Sequence, residues 1–478
     1  VTQQPPLTPG PPTGPTRPSD PADTADTAPG SDASGTDPAP TTPHAELADW
    51  RGRRYVVGPT PRDLTGQGRA GILARSAIAL AAIGVLQFGY GAAVPTLVAA
   101  HDWSVPEALL PFVVWAVLQG GSALPVARLR AAGLLSPGRA VALGGLLCAV
   151  ALLSVGYGGG LAWLLLGYGV LGGIGAGLVY HSCVHVASQW YPERPGTAAG
   201  LVGGAFALGS APLAAALLGL RPEALATSCA VLAAAAAVLS LWCAARLPSP
   251  PPDWWPPETD PRAWALSAQA NPAASRDHSP AEAWRSGALP TLNAVLALAG
   301  AVSLFDLAVL PALLAEHGPS PGLAGAVIGT LIAANAVGRV SASRWSEAAG
   351  RRRVLVLVLL AGALAHAGLV IAGAGGPTVL LLGCAVLAGL GGGACYPLAC
   401  TLAVDYFGLR DSARNQAFVY SAKALGGLLG VGGGAALLAF APAHAFDAAL
   451  AAAGLCAFAA AGLALRLRRP FQVRTIPA

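Results

Sequence analysis

"GLVYHSCVHVASQWYPER" (residues 177–194) and "GACYPLACTLAVDYFGLR" (residues 393–410) place glycine, tyrosine, an aromatic ring and arginine at the same spacings: 177/393, 180/396, 191/407 and 194/410. Each stretch closes an apolar run long enough to cross a hydrocarbon layer of about 30 Å. Outward from this pair, similar runs lie near 72–98, 106–127, 139–158, 161–187, 196–220 and 224–246, then near 288–314, 323–343, 354–374, 378–403, 415–440 and 446–466. Two sets of six with an internal match between the fourth and the tenth predict an all-α membrane protein. Its twelve transmembrane helices form two pseudo-symmetric halves, residues 71–246 and 288–467. Halves repeated in parallel commonly rock about a site at their interface.

Composition agrees. The chain is 54% hydrophobic and 11% charged, against roughly 25% charged residues in soluble domains. Eight cysteines all fall in apolar runs without a CxxC pair, which argues for packing rather than for disulfides or zinc. Methionine is absent and lysine occurs once. That usage suggests a GC-rich bacterial genome, with Val1 written for a GTG start, and hence a bacterial inner membrane as the location. Residues 1–50 hold twelve prolines and seven acids against one arginine. Such a segment buries too little apolar surface to offset its entropy, and it lacks the layout of a signal peptide. Residues 1–70 are therefore expected to be a disordered cytoplasmic tail, 247–287 a cytoplasmic linker, and 468–478 a second short tail.

The formal charge of +5 could suggest a nucleic-acid partner, but its placement argues otherwise. With the N-terminus inside, 24 of the 28 cations fall on cytoplasmic segments and only Arg221 on an external loop. This positive-inside pattern puts both termini in the cytoplasm. The basic charge serves topology.

At the repeat the chain resembles a known family. The run from "GYGVLGGIGAG" through "YPERPGTAAGLVGGAFALG" is similar to spans four and five of the oxalate/formate antiporter family of the major facilitator superfamily. "NAVGRVSASRWSEAAGRRRV" resembles that family's span eight and following loop, and "DYFGLRDSARNQAFVYSAKALGGLLGVGGG" its spans ten and eleven. The resemblance covers about residues 72–467. It implies that Arg339 and Lys423 bind the substrate's carboxylates, and that Tyr90, Tyr180, Tyr396 and Tyr420 box the substrate. Phe206 stands where the family has a further aromatic. A family tryptophan falls on Gly392, which would enlarge the pocket. The superfamily's acidic loop motif survives as "SEAAGRRR" with Glu347, whereas "RLRAAGLLSPGR" in the first half has no acid.

Several of these positions also speak without the resemblance. Lys423 lies nine residues beyond Arg414, about 13 Å deep at helical rise, too deep for its stem to recover fully by snorkelling. An ammonium there costs roughly 2.5–3.5 kcal/mol or more. Arg339 sits only five residues before Arg344, so a snorkel could explain it on physics alone. Together, a guanidinium fork and a point-charge ammonium suit an anion with two carboxylates, or one carboxylate and a second polar end. Asp306 is mid-span without an adjacent cation. It either pairs across helices with Arg339 or Lys423 or serves as a proton-coupling site. His181 and His185 share a helix face but have no third ligand in sequence, so packing or pore lining is expected; His366 is expected to pack.

"GGIGAG" at 172–177 lies inside a span without the soluble strand a dinucleotide fingerprint needs. Gly169, Gly173 and Gly177, like Gly426, Gly430 and Gly434, recur every four residues, a pattern of close helix contact. No P-loop suggests ATP drive, and no clustered nucleophile, base or metal set suggests an enzyme. A secondary transporter of small organic anions by exchange is expected, with proton-coupled monocarboxylate symport as the alternative and efflux or a non-transport role more remote. The expected partners are a small carboxylate and the lipid bilayer, with no cofactor, no metal, no nucleic acid and no ATP, and the chain is taken as a monomer. In a cysteine-free background, cysteines at 102 and 318 should label from outside the cell and one at 270 from inside. Labelling of 270 from outside would overturn this topology.

Overall fold

The computed structural model describes residues 45–48, 53–266, 270–272, 274, 276–317, 320–373 and 376–470. Among them twelve helices are long and apolar enough to cross a membrane: Arg69–Phe88, Val105–Ala131, Pro137–Tyr157, Leu161–Trp190, Pro195–Ala214 and Pro222–Ala244, then Ala288–Glu316, Pro321–Ala349, Arg351–Ala372, Thr378–Phe407, Ser412–Phe440 and Ala445–Arg466. They are spans 1–12. Starts follow local rules: Ser104 caps span 2 through a capping box with Glu107, and Ser136 caps span 3, each satisfying a backbone donor left open by the first turn.

Several spans are irregular where they meet the interior. Span 1 breaks at Gly84 and again at Gly89, continuing as Tyr90–His101. Span 2 bends at Ser122, whose hydroxyl donates to Gln119 O. Spans 4 and 11 widen to i→i+5 hydrogen bonding over Leu165–Gly172 and Leu428–Gly432, a geometry that recurs at functional positions.

The glycine stripes set the helix spacing. A Cβ on Gly173 would lie 2.8 Å from Trp115 O, and one on Gly177 would strike Ser122, so span 4 lies directly on span 2. Gly426 and Gly430 face the backbone of Gly300 and Ala301, and Gly434 faces Val309, so span 11 lies on span 7. Between the halves, span 5 packs on span 8 and span 2 on span 11. Gly200 meets Arg339 O at 2.5 Å from a built Cβ, Gly120 meets Ala424 N at 2.7 Å, and Gly91 abuts Leu307 O. The halves touch on both sides of their common centre.

The linker crosses one end of the bundle and is fastened to both halves. On the first half, Trp190 Nε1 donates to Pro248 O and Trp264 Nε1 to Glu193 O. On the second, Asn271 Nδ2 donates to Ser346 O at 2.8 Å while its Oδ1 accepts from Arg351 N at 2.7 Å. Asp277 Oδ1 accepts from Leu409 N, and Asn415 Nδ2 donates to His278 O. The expectation of a disordered tail to residue 70 is corrected in its described part. Residues Ala45–Ala48 (β1) and Arg54–Val57 (β2) pair antiparallel, and β2 pairs parallel with Trp254–Trp255 (β3) of the linker. The reason is aromatic burial: Tyr55 meets Trp255 edge-on at 5.0 Å, Trp255 meets Trp264, and Trp254 meets Trp190. Residues 1–44 and 49–52 lie outside the described residues.

At this linker end Glu347 of span 8 accepts from Thr197 N at 3.0 Å and from Thr197 Oγ1 at 2.8 Å, across the interface to span 5. Hydrogen bonds to a charged group contribute about 1.5–3 kcal/mol each. Glu347→Ala should therefore open this end more often. Cys400 of span 10 is half-buried beside Thr401, which lies against Gly196 next to Glu347. Its alkylation, followed by peptide mass spectrometry, should speed up by about tenfold or more; an unchanged rate would show that these bonds do not hold the end closed.

Candidate functional site

Lys423 lies inside span 11 and is 1% exposed; Arg339 lies inside span 8 and is likewise 1% exposed. Neither side chain forms an ion pair among the described residues. Lys423 Nζ donates to Gln87 Oε1 of the broken span 1 at 2.6 Å. Arg339 Nε donates to Asn335 Oδ1, one turn earlier on its own helix, at 3.0 Å. Both charges face the Tyr396 ring, with the guanidinium carbon 5.3 Å and the ammonium 5.5 Å from its centroid. One ring of span 10 thus bridges the gap between the two cations.

The other aromatic groups close round them. Lys423 Nζ is 5.0 Å from the Trp115 ring and 5.9 Å from that of Tyr420; Arg339 is 5.9 Å from Phe88. Phe88 meets Phe206 edge-on, Phe206 meets Tyr180, Tyr180 lies 4.9 Å from Tyr420, and Tyr420 meets Tyr396. The electron-rich ring faces give each cation partial compensation, worth about 2 kcal/mol or more per contact when desolvated. They supply no net negative charge.

Around this box, buried polar atoms stand without hydrogen-bond partners among the described residues: Gln87 Nε2, Trp115 Nε1, Gln119 Oε1 and Arg339 Nη1. An unmade hydrogen bond of this kind costs roughly 1–3 kcal/mol. Their concentration about two uncompensated cations describes a polar, positive and closed site, rich in donors.

Of the sequence-predicted residues, Arg339, Lys423, Tyr180, Tyr396, Tyr420 and Phe206 converge here. Tyr90 does not touch the cations. It stacks on Tyr168 at 4.3 Å and donates its hydroxyl to Ala108 O, which places it in a layer joined to the site through Phe112, Tyr168 and Trp115. Gly392 does not widen the pocket, because a Cβ there would lie 3.1 Å from Ser303 Oγ of span 7. His181 meets the Tyr420 ring edge-on at 4.7 Å and lies beside Gln119 O. Gln87, Phe88, Trp115, Gln119 and Asn335 were not singled out from sequence. The two glutamines, polar in mid-span, carried the available signal.

One of the two readings of Asp306, pairing with Arg339 or Lys423, is corrected. Its partner is neither Arg339 nor Lys423 but His366 of span 9, with Nε2 2.9 Å from Asp306 Oδ1. His366 Nδ1 lies 2.8 Å from Gly362 O, a pure acceptor. That nitrogen must carry a proton, so a further proton is shared between Nε2 and Oδ1 and the pair is neutral overall. His366 is thus a polar partner rather than simple packing.

Comparison with known families bears on the second half. Residues 291–478 match the family model of the Major Facilitator Superfamily. The fold is the major facilitator fold. The match supports a membrane transporter of that superfamily, and the twelve apolar helices support a multi-pass membrane protein. No curated protein matches the chain.

In a facilitator fold, a buried charge kept for function should add little to the stability of the empty protein. Replacing a buried ion by an apolar isostere is often neutral or stabilising, and here it also relieves repulsion from Arg339. Lys423→Met should leave ligand-free unfolding within about 1 kcal/mol of wild type, or raise it. A larger loss, measured by thermal unfolding in detergent, would make Lys423 a structural group.

Proposed function

We propose that the protein is a secondary active transporter of small organic anions, mono- or dicarboxylates of the oxalate or formate kind, working by alternating access and chiefly by exchange. One observation carries this reading: two fully buried cations share one aromatic box, and among the described residues no carboxylate forms an ion pair with either. In a water-poor interior each unpaired charge is costly, and a dianion between the two removes both costs together. Arg339 offers a planar fork with a free Nη1, suited to grip one carboxylate with two bonds. Lys423, already oriented by Gln87, meets the other as a point charge. Trp115 Nε1 and Gln87 Nε2 lie ready as further donors.

Exchange follows from the same electrostatics. The loaded site is near neutral and lets the halves close; the empty site keeps its repulsion and resists closure. A carrier of this kind crosses the membrane loaded more readily than empty. Cytoplasmic termini, supported by the arginine asymmetry, and a bacterial inner-membrane location, supported by the residue usage, complete the reading.

The test is ligand binding and counterflow with charge variants. Lys423→Gln should weaken dicarboxylates by about 10- to 100-fold, the loss of one charge-assisted contact, and monocarboxylates far less. Wild-type binding and transport in Lys423→Gln would refute the assignment.

The neutral Asp306–His366 pair favours a second reading, proton-coupled monocarboxylate symport, because it already holds a proton that could be released. Asp306→Asn separates the two. Under exchange, counterflow persists with unaltered pH dependence; under symport, uptake driven by a pH gradient vanishes while exchange survives.

A further inference from the structure

A second basic site lies away from the box, at the linker end of the second half. Here a cleft of about 970 Å³ opens between the start of span 9, the ends of spans 10 and 12, and Asn271 of the linker. Five arginines line it, Arg351, Arg352, Arg353, Arg468 and Arg469, against one acid, Asp405. Asp405 is already engaged by the Arg351 guanidinium. Arg352 Nη1 donates to Leu467 O, and the Arg469 guanidinium lies over the Tyr406 ring. Arg353 and Arg468 are exposed. Arg351 is only 7% exposed, yet its Nε has no hydrogen-bond partner. A topogenic arginine has no need of such burial.

The cleft is amphiphilic. Its guanidinium groups gather where spans 9 and 12 leave the apolar zone, and its other wall includes Leu357 and Leu465, both exposed on those spans. Leu357 lies about one turn inward from Arg353 and Leu465 about one turn inward from Arg468 and Arg469, so apolar side chains sit on the membrane side of the charges. The first turn of span 9 adds the positive end of a helix dipole.

We propose that this cleft binds the phosphate headgroup of an anionic phospholipid, with the acyl chains lying along Leu357 and Leu465. A soluble phosphate would satisfy the arginines but would leave the leucine wall unexplained. Basic pockets between spans at a headgroup boundary are suited to this chemistry. Planar guanidiniums can grip phosphate oxygens with two bonds apiece. The bound lipid would touch the linker at Asn271, the residue that joins the linker to spans 8 and 9.

The test uses the full-length protein in detergent, with native mass spectrometry against equal amounts of phosphatidylglycerol and phosphatidylcholine. Wild type should retain phosphatidylglycerol preferentially. Arg353→Gln with Arg468→Gln, two exposed positions away from the Arg351–Asp405 pair, should reduce that preference by about tenfold or more, at roughly fivefold per charge. The charge-keeping pair Arg353→Lys with Arg468→Lys should retain most of it. Equal retention of both lipids by wild type, or an undiminished preference in the glutamine variant, overturns the proposal. Inorganic pyrophosphate supplies the other arm: if it displaces the lipid completely at equal concentration, the site is one for soluble phosphate and the lipid assignment fails.

Discussion

Two positive charges kept out of water without an acid between them are the constraint on which the rest of this structure depends. Each alone costs several kcal/mol at such depth, and together they repel. Everything nearby softens that cost without removing it. Gln87 turns a carbonyl dipole toward Lys423, Asn335 does the same for Arg339, and Tyr396 presents its ring to both. The one acid in the middle of the second half, Asp306, is engaged by His366 on an outer helix instead of neutralising either cation. Close packing through the glycine stripes then keeps water away. The arrangement is complete in every respect but a negative charge.

The architecture was legible because it rests on properties that sequence displays directly. Twelve apolar runs, a polar break between the sixth and seventh, and the match of 177–194 with 393–410 each follow from bilayer thickness or from duplication. Lys423 was legible for the opposite reason, being the one residue that such a run should reject. What stayed hidden depends on pairings between distant positions. Gln87 and Lys423 are 336 positions apart, and neither the depth nor the facing of Gln87 can be read from its neighbours. The His366–Asp306 pair is of the same kind. The short strands at 45–48 and 54–57 lacked an alternating pattern strong enough to show; tryptophans two hundred positions later hold them in place. Gly392 misled because an absent side chain was read as space, whereas Ser303 of span 7 packs against it.

The two halves are alike in outline and unlike at the linker end. The end of span 8 has Glu347, which reaches across to Thr197, and span 9 begins at Arg351, which reaches Asp405. The corresponding end of span 2 and the loop after it have no acid, and Arg130 at that end donates to His181 O within its own half. Among the described residues, a hydrogen bond across the halves is thus made at the second of these positions, from Thr197 to Glu347. The linker adds its own fastenings on both sides, so closure at that end is distributed over a folded connector as well as the helices.

The scarcity of lysine has a practical consequence. An amine-directed reagent meets one ε-amino group in all 478 residues, and that group is enclosed by Gln87, Trp115, Tyr396 and Tyr420. Apart from the chain terminus, its rate of acylation reports a single event, the moment when the bundle admits a small molecule to its centre. The chain carries, without any engineered label, a clock for its own opening.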